Sequence, residues 1–296
     1  MTTKKKIPEF IQPQIPVGVE KPPAGKTWLH EIKFDGMRLQ IHVEGKYVRA
    51  FDMKGIERSN EFPTLIENIL EIKVKNAIYD TEAVILDRQG KSQYSHLEKA
   101  LRFKDDTQIK VFFFDLLYLN NADLRLLPLI ERKDILKELI PDIHPRLRFS
   151  GHVTKDPENF FNINCQQQLE GIVSKMSSAP YMSGKNKNWC QTKCTKKEEF
   201  IIAGYSSETN ELILGKFERE KFYFVGRVLA DDKFIRIKKQ LAKIPLDSSV
   251  LEKVPERTLK TKGIHWVKPE IKAEVNFSNW TDEKLLRNPV LVEVVN

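Results

Sequence analysis

Hydrophobic and polar positions alternate most cleanly where Leu39, Ile41 and Val43 interleave with Gln40, His42 and Glu44. That period of two predicts a strand. Gly45 then turns the chain into Tyr47–Phe51, which predicts a hairpin. A helical spacing follows over Glu61–Ile72, with Leu65, Ile69 and Ile72 on one face. Ile78–Leu86 and the aromatic-rich run Val111–Leu119 read as strands, the second one buried. Leu129–Ile140 and Pro157–Leu169 read as helices, and Gly171–Met176 as a further strand. Upstream, Pro8, Pro13, Pro16, Pro22 and Pro23 make residues 1–26 an extended, proline-rich lead-in.

The pattern changes after Lys193. Thr195-Lys196-Lys197-Glu198-Glu199 reads as a charged connector, with a boundary near residue 198. Short strands follow at Phe200–Tyr205, Glu211–Phe217, Phe222–Leu229 and Ile271–Phe277, interrupted by a helical stretch at Lys233–Leu241. This is the rhythm of a small β-barrel. The expected domains are therefore residues 27–198 and 199–296.

Composition narrows the class. The 296 residues carry 49 Lys+Arg against 41 Asp+Glu, a net charge of +8 that suits a polyanionic partner. Cys165, Cys190 and Cys194 cannot make a disulfide framework and lack zinc-site spacing. Together with the Lys4-Lys5-Lys6 start, which has no apolar signal-peptide stretch, this points to a reducing cytoplasmic compartment and away from membranes.

The candidate chemistry begins at Glu31-Ile32-Lys33-Phe34-Asp35-Gly36-Met37-Arg38. A lysine at a strand end beside an Asp-Gly turn is a candidate nucleophile, because partial desolvation eases loss of its proton. Glu82 lies in Tyr79-Asp80-Thr81-Glu82, Phe114 precedes Asp115, and Glu170-Gly171-Ile172-Val173-Ser174-Lys175 and Trp189-Cys190-Gln191-Thr192-Lys193 follow. Two carboxylates suit a hard divalent cation, an aromatic face suits a purine, and lysines suit phosphate. Taken singly, each has a plain structural explanation: strand glutamates are usually solvated and a phenylalanine is usually core.

In this order the strings resemble the covalent nucleotidyltransferase superfamily, and within it the ATP-dependent DNA ligases of the bacterial end-joining type, the ligase domain of ligase D. The likeness extends through Leu126-Leu127-Pro128-Leu129, Phe222–Val228, Trp266-Val267-Lys268-Pro269-Glu270 and Asn279-Trp280. It implies an α+β chain: a nucleotidyltransferase (ATP-grasp-like adenylation) domain with antiparallel sheets, then a C-terminal OB-fold β-barrel. It also implies three steps. Lys33 attacks the α-phosphate of ATP, AMP passes to a DNA 5′-phosphate, and the 3′-hydroxyl displaces AMP. Nucleotide contacts would come from Glu31, Ile32, Arg38, Glu82, Phe114, Lys175, Gln191 and Lys193, with Glu31 reading the adenine amino group and Lys175 and Lys193 on the same phosphate. Glu82 and Glu170 would hold Mg2+ or Mn2+. Arg38, Arg49 and Lys54 would face nicked or broken double-stranded DNA. A monomer and a Ku-like end-binding partner are further expectations of the resemblance.

The chain also departs from that pattern. Met53 stands where an arginine is usual, Thr81 replaces a glycine, and Gln191 replaces a lysine. Beyond Arg287 the usual arginine–lysine pair is missing. These departures keep two other readings open: a catalytically weakened DNA-binding or bridging module, and an RNA ligase or guanylyltransferase of the same superfamily.

Overall fold

The computed structural model describes residues 7–281 and 283–295; the basic start Lys4-Lys5-Lys6 lies outside them. Contacts divide the chain into two units, the first ending at Cys194 and the second beginning at Thr195. In the first unit the chain passes through β1 (Gln14–Gly18), β2 (Trp28–Ile32), β3 (Met37–Glu44), β4 (Tyr47–Phe51), α1 (Pro63–Ile69) and β5 (Asn76–Val84). It continues through α2 (Tyr94–Arg102), β6 (Lys110–Leu119), β7 (Ala122–Asp123), α3 (Leu129–Leu139), β8 (Leu147–Phe149), α4 (Pro157–Gln166), β9 (Gly171–Met176) and β10 (Gly184–Lys193).

These strands form two sheets. One has the order β1-β10-β9-β2, with β1 parallel to β10 and the remaining pairs antiparallel. The other has the order β4-β3-β5-β6-β7, with β8 parallel on β6. The predicted β3–β4 hairpin is present, and Leu39, Ile41 and Val43 enter a core shared with Leu65 and Ile69 of α1. From Ile7 onward the lead-in is built into the unit. Ile7 and Ile11 are buried with Ile78, Leu117 and Trp189, and Gln40 exchanges two hydrogen bonds with the Ile11 backbone.

Two irregularities in β6 direct its aromatic run. The β5–β6 register shifts twice, so Phe114 and Leu117 have no partner on β5. Bulges of this kind re-aim side chains. Phe113 therefore enters the main core, while Phe114 and Leu117 join the smaller cluster around Trp189.

The second unit contains β11 (Lys196–Ser206), β12 (Glu211–Glu218), β13 (Lys221–Leu229), α5 (Phe234–Leu241), β14 (Pro245–Leu246), α6 (Glu256–Leu259), β15 (Ile264–Val267), β16 (Lys272–Phe277), β17 (Asn279–Trp280), β18 (Leu286–Arg287) and β19 (Val290–Val295). The charged run 195–199 is largely the start of β11 rather than a connector, because Lys196–Ile201 pairs with β16. The same strand then pairs with β15 through Gly204–Ser206. Among the described residues no pairing joins β13 to β19, so the curled OB-fold sheet stays open where a barrel was expected.

The cysteines also differ from expectation. Cys165 near the end of α4 and Cys194 just past β10 form a disulfide, while Cys190 remains a buried thiol. Distance in sequence hides this pairing. The last residues of β10 run beside Gly171 and Ile172, and the Cys194 N–H bonds the Glu170 carbonyl. The cysteine count therefore gives no sound argument for a reducing compartment. No described helix is long and apolar enough to cross a membrane.

His42 gives this unit a pH dependence. It is buried and donates through Nε2 to Gln40 Oε1, the oxygen that also accepts from Ile11 N–H. Burial, and secondarily the Arg49 charge, push its pKa from 6.5 down to about 4. Between those values the unfolded chain binds a proton that the folded chain refuses, so stability rises with pH across that window. Acidification toward pH 4 should cost roughly 2–3 kcal/mol. Denaturant midpoints from pH 7.5 to 4.5 should fall, and His42→Gln should flatten that slope.

Candidate active site

Lys33 is placed by the backbone on both sides of it. Its N–H bonds the Gly171 carbonyl, which brings it beside Glu170. Gly36 allows the turn that follows, since a Cβ there would meet the Ala83 carbonyl at 2.2 Å. Gly171 has φ +141°, and a Cβ on it would meet the Thr192 carbonyl at 2.1 Å. The Asp-Gly and Glu-Gly pairs thus let two strand ends close on each other.

Between the two sheets lies a cleft of about 340 Å³. Of the residues expected at a site, Glu31, Ile32, Lys33, Arg38, Glu82, Phe114, Lys175 and Gln191 line it, as does Met53. Glu170 stands next to it, with Oε2 2.7 Å from Lys33 Nζ, and Lys193 Nζ is 3.7 Å from the other Glu170 oxygen. Arg49 and Lys54 are not among the lining residues. Arg49 pairs with Glu44 over the Phe51 ring, and Lys54 sits in an exposed turn.

The cleft has two chemically distinct ends. At one end are Lys33, Glu170, Lys193 and Glu82. Burial pushes the Glu82 carboxyl up to about 8; Lys33 and Arg38 oppose this, while Glu170 and Asp80 add to it. Glu82 and Glu170 are oxygen donors of the kind that suits a hard cation with phosphate oxygens completing its shell. Among the described residues no cluster of three such ligands occurs.

At the other end, Glu31 is buried and ionised. Desolvation raises its pKa, but Lys133 and Lys175 overcome this and hold it below the usual range. Its Oε1 accepts from Lys133 at 2.7 Å and its Oε2 from Lys175 at 2.9 Å, with Ser150 Oγ at 3.1 Å. Lys175 Nζ lies 4.2 Å from the centre of the Phe114 ring and 4.4 Å from that of Trp189. Lys175, expected on the same phosphate as Lys193, has its ammonium bonded to Glu31 in this structure. Lys175 stands opposite Trp189 and Lys193 opposite Gly171, four positions apart on the β9–β10 ladder, or about 13 Å at strand rise.

Arg38 has a structural engagement as well. It makes a two-pronged contact with Asp80 at 2.8 and 2.6 Å and donates to the Gln14 carbonyl at 2.8 Å. The residues not foreseen from sequence are Lys133, Ser150 and Trp189. Only Trp189 carried a signal, as the aromatic that opens the Trp-Cys-Gln-Thr-Lys string.

Comparison with known proteins identifies the family. Residues 13–193 match the family described as ATP dependent DNA ligase domain, and residues 206–294 the ATP dependent DNA ligase C terminal region. The chain is 30% identical over 301 residues to the multifunctional non-homologous end joining protein LigD of Pseudomonas aeruginosa, covering 97% of this chain and 36% of that protein. It is 28% identical over 278 residues to the LigD of Mycobacterium tuberculosis, covering 88% of this chain and 35% of that one. The chain thus spans about a third of the length of these relatives. Among solved structures, mycobacterial DNA ligase D complexed with ATP and MES is 25% identical with a TM-score of 0.59, covering 97% of this chain and 95% of that one. With the family match over most of the first unit and the OB-fold region in the second, the chain belongs to the ATP-dependent DNA ligases.

Proposed function

We propose that this chain seals breaks in double-stranded DNA through a lysyl-N-AMP adduct on Lys33, and that it serves end joining inside the cell, as the names of its LigD relatives suggest. The observation that carries the reading is the Lys33–Glu170 contact of 2.7 Å beside a cleft whose far end pairs a carboxylate with an aromatic face. Glu170 Oε2 is the acceptor within reach of the proton that Lys33 Nζ must lose before it attacks. The amine then forms a P–N bond at the α-phosphate of ATP while the bond to pyrophosphate breaks. AMP passes next to the DNA 5′-phosphate and is finally displaced by the 3′-hydroxyl.

The chain's own residues divide the positioning. Lys193 neutralises phosphate charge at the Lys33 end. Phe114, turned into the cleft by its bulge, offers a stacking face, and Glu31 accepts from the adenine amino group. Glu82 and Glu170 fit Mg2+ or Mn2+, which when bound would polarise the phosphate and offset its charge. The basic excess supports salt-dependent contact with the DNA backbone. A Ku-like end-binding protein fits the same role, and a monomer suffices for the cleft, which the first unit builds alone.

With magnesium and α-labelled ATP, protein freed of carried-over AMP should acquire a label that survives denaturation. Lys33→Ala should lose it entirely; a normal adduct in that variant would sink the assignment, and an unlabelled wild type would favour a binding module. GTP should label far less than ATP, which separates a ligase from a guanylyltransferase. Gln191→Lys restores a cation to the cleft wall and should speed single-turnover adenylylation about three- to tenfold, near 1 kcal/mol.

A further inference from the structure

Behind the base end of the cleft stands a residue outside the motifs and outside the lining. Lys133 of α3 is completely buried. Its ammonium donates to Glu31 Oε1 at 2.7 Å and to the Ser150 carbonyl at 2.9 Å. It also lies 4.7 Å from the centre of the Phe149 ring. Two of the ammonium's three donors are used by the Glu31 and Ser150 oxygens, and the residue is not part of the cleft lining. Lys133 therefore does not meet a ligand in the cleft directly.

Glu31 and Lys175 keep spare capacity. An ionised carboxylate has about four lone-pair directions; Lys133, Lys175 and Ser150 use three, and Glu31 lines the cleft. Lys175 gives one donor to Glu31 and holds the rest beside Phe114 and Trp189. An acceptor next to a donor matches the Watson–Crick edge of adenine, which presents an amino donor and the N1 acceptor. Guanine presents these in the opposite sense, an oxo acceptor and an N1–H donor.

We propose that Lys133 is a positioning residue for nucleobase selection: it fixes Glu31 from behind, so that Lys175 can turn a donor to the base. The inference rests on the base-end reading given under the proposed function. Without Lys133, the buried Glu31 charge retains a single counter-ion. That pairing then draws Lys175 toward the carboxylate and away from the base, since a buried charge tolerates no loss of its partner.

The test is equilibrium binding of ATP and of GTP to the full chain carrying Lys33→Ala, which prevents turnover, with and without Lys133→Met. The added substitution should weaken ATP by about tenfold or more, the worth of one charge-assisted hydrogen bond. GTP should change much less, so that the ATP:GTP preference falls. In a Glu31→Gln background the same substitution should barely move that preference, because the two residues act as one unit. Thermal unfolding confirms that each variant is folded. Should Lys133→Met fail to fold, Lys133→Gln keeps a donor to Glu31 but no charge, and the preference should again fall. A folded variant that weakens both nucleotides equally, or neither, would overturn the proposal while leaving the ligase reading intact. A wild-type chain binding neither nucleotide would overturn the reading of the cleft and this inference with it.

Discussion

Two buried aspartates bearing arginines hold the first unit together. Asp80 and Asp115 face each other across β5 and β6, and each accepts a two-pronged contact, from Arg38 and Arg132 respectively. Both arginines also bond backbone outside the strand whose aspartate they hold, Arg38 from β3 and Arg132 from α3. Arg38 donates to the Gln14 carbonyl on β1, and Arg132 to the carbonyls of Leu127 and Ala179. Tyr181 closes the network by donating to Asp80 and accepting from Gln14 N–H. Hydrocarbon packing brings sheets together without fixing a register; directed, charged contacts do fix one. Removing one partner of such a buried pair typically costs about 3–5 kcal/mol.

The cleft follows from that arrangement. With the sheets locked, the Lys33 strand end, the Phe114 bulge and the Glu31 cluster sit at set distances along one groove. Charge is graded along it too, with carboxylates crowding the phosphate end and a net-cationic, solvent-excluded group backing the base end. A nucleotide meets dipoles and charges already oriented, so little reorganisation remains for the chemical step.

Much of this was legible in sequence, and the exceptions have physical causes. Lys33, Glu82, Phe114 and Glu170 lie in local strings whose neighbours, two glycines above all, dictate the turn that presents them. Lys133 could not be read, because a charged residue on a helix normally faces water, and its partner Glu31 lies far away in the chain. Arg132 stands in a recognisable string, Glu131-Arg132, but its buried pairing with Asp115 could not be read for the same reason. The strand Gly184–Lys193 is rich in Lys and Asn and shows no apolar alternation; its pairing with β1 and β9 makes it a strand. The charged start of β11 misled similarly, since its cross-strand ion pairs, Lys197–Glu274 and Lys272–Glu199, exist only once β16 is alongside.

The parallel match of β1 with β10 has a consequence for the order of assembly. Gln14 pairs with Gly184, so almost the entire first unit is made between a strand and its partner. At ribosomal speeds of about 5–20 residues per second, β1 waits roughly ten to thirty seconds for its strand partner. Ile15 and Pro16, which line the cleft, have no β10 to dock on before then. Prolines in that waiting segment discourage it from adding to another chain's sheet meanwhile. The nucleotide groove is thus a late product of translation: the first segment of it to leave the ribosome is among the last to be seated.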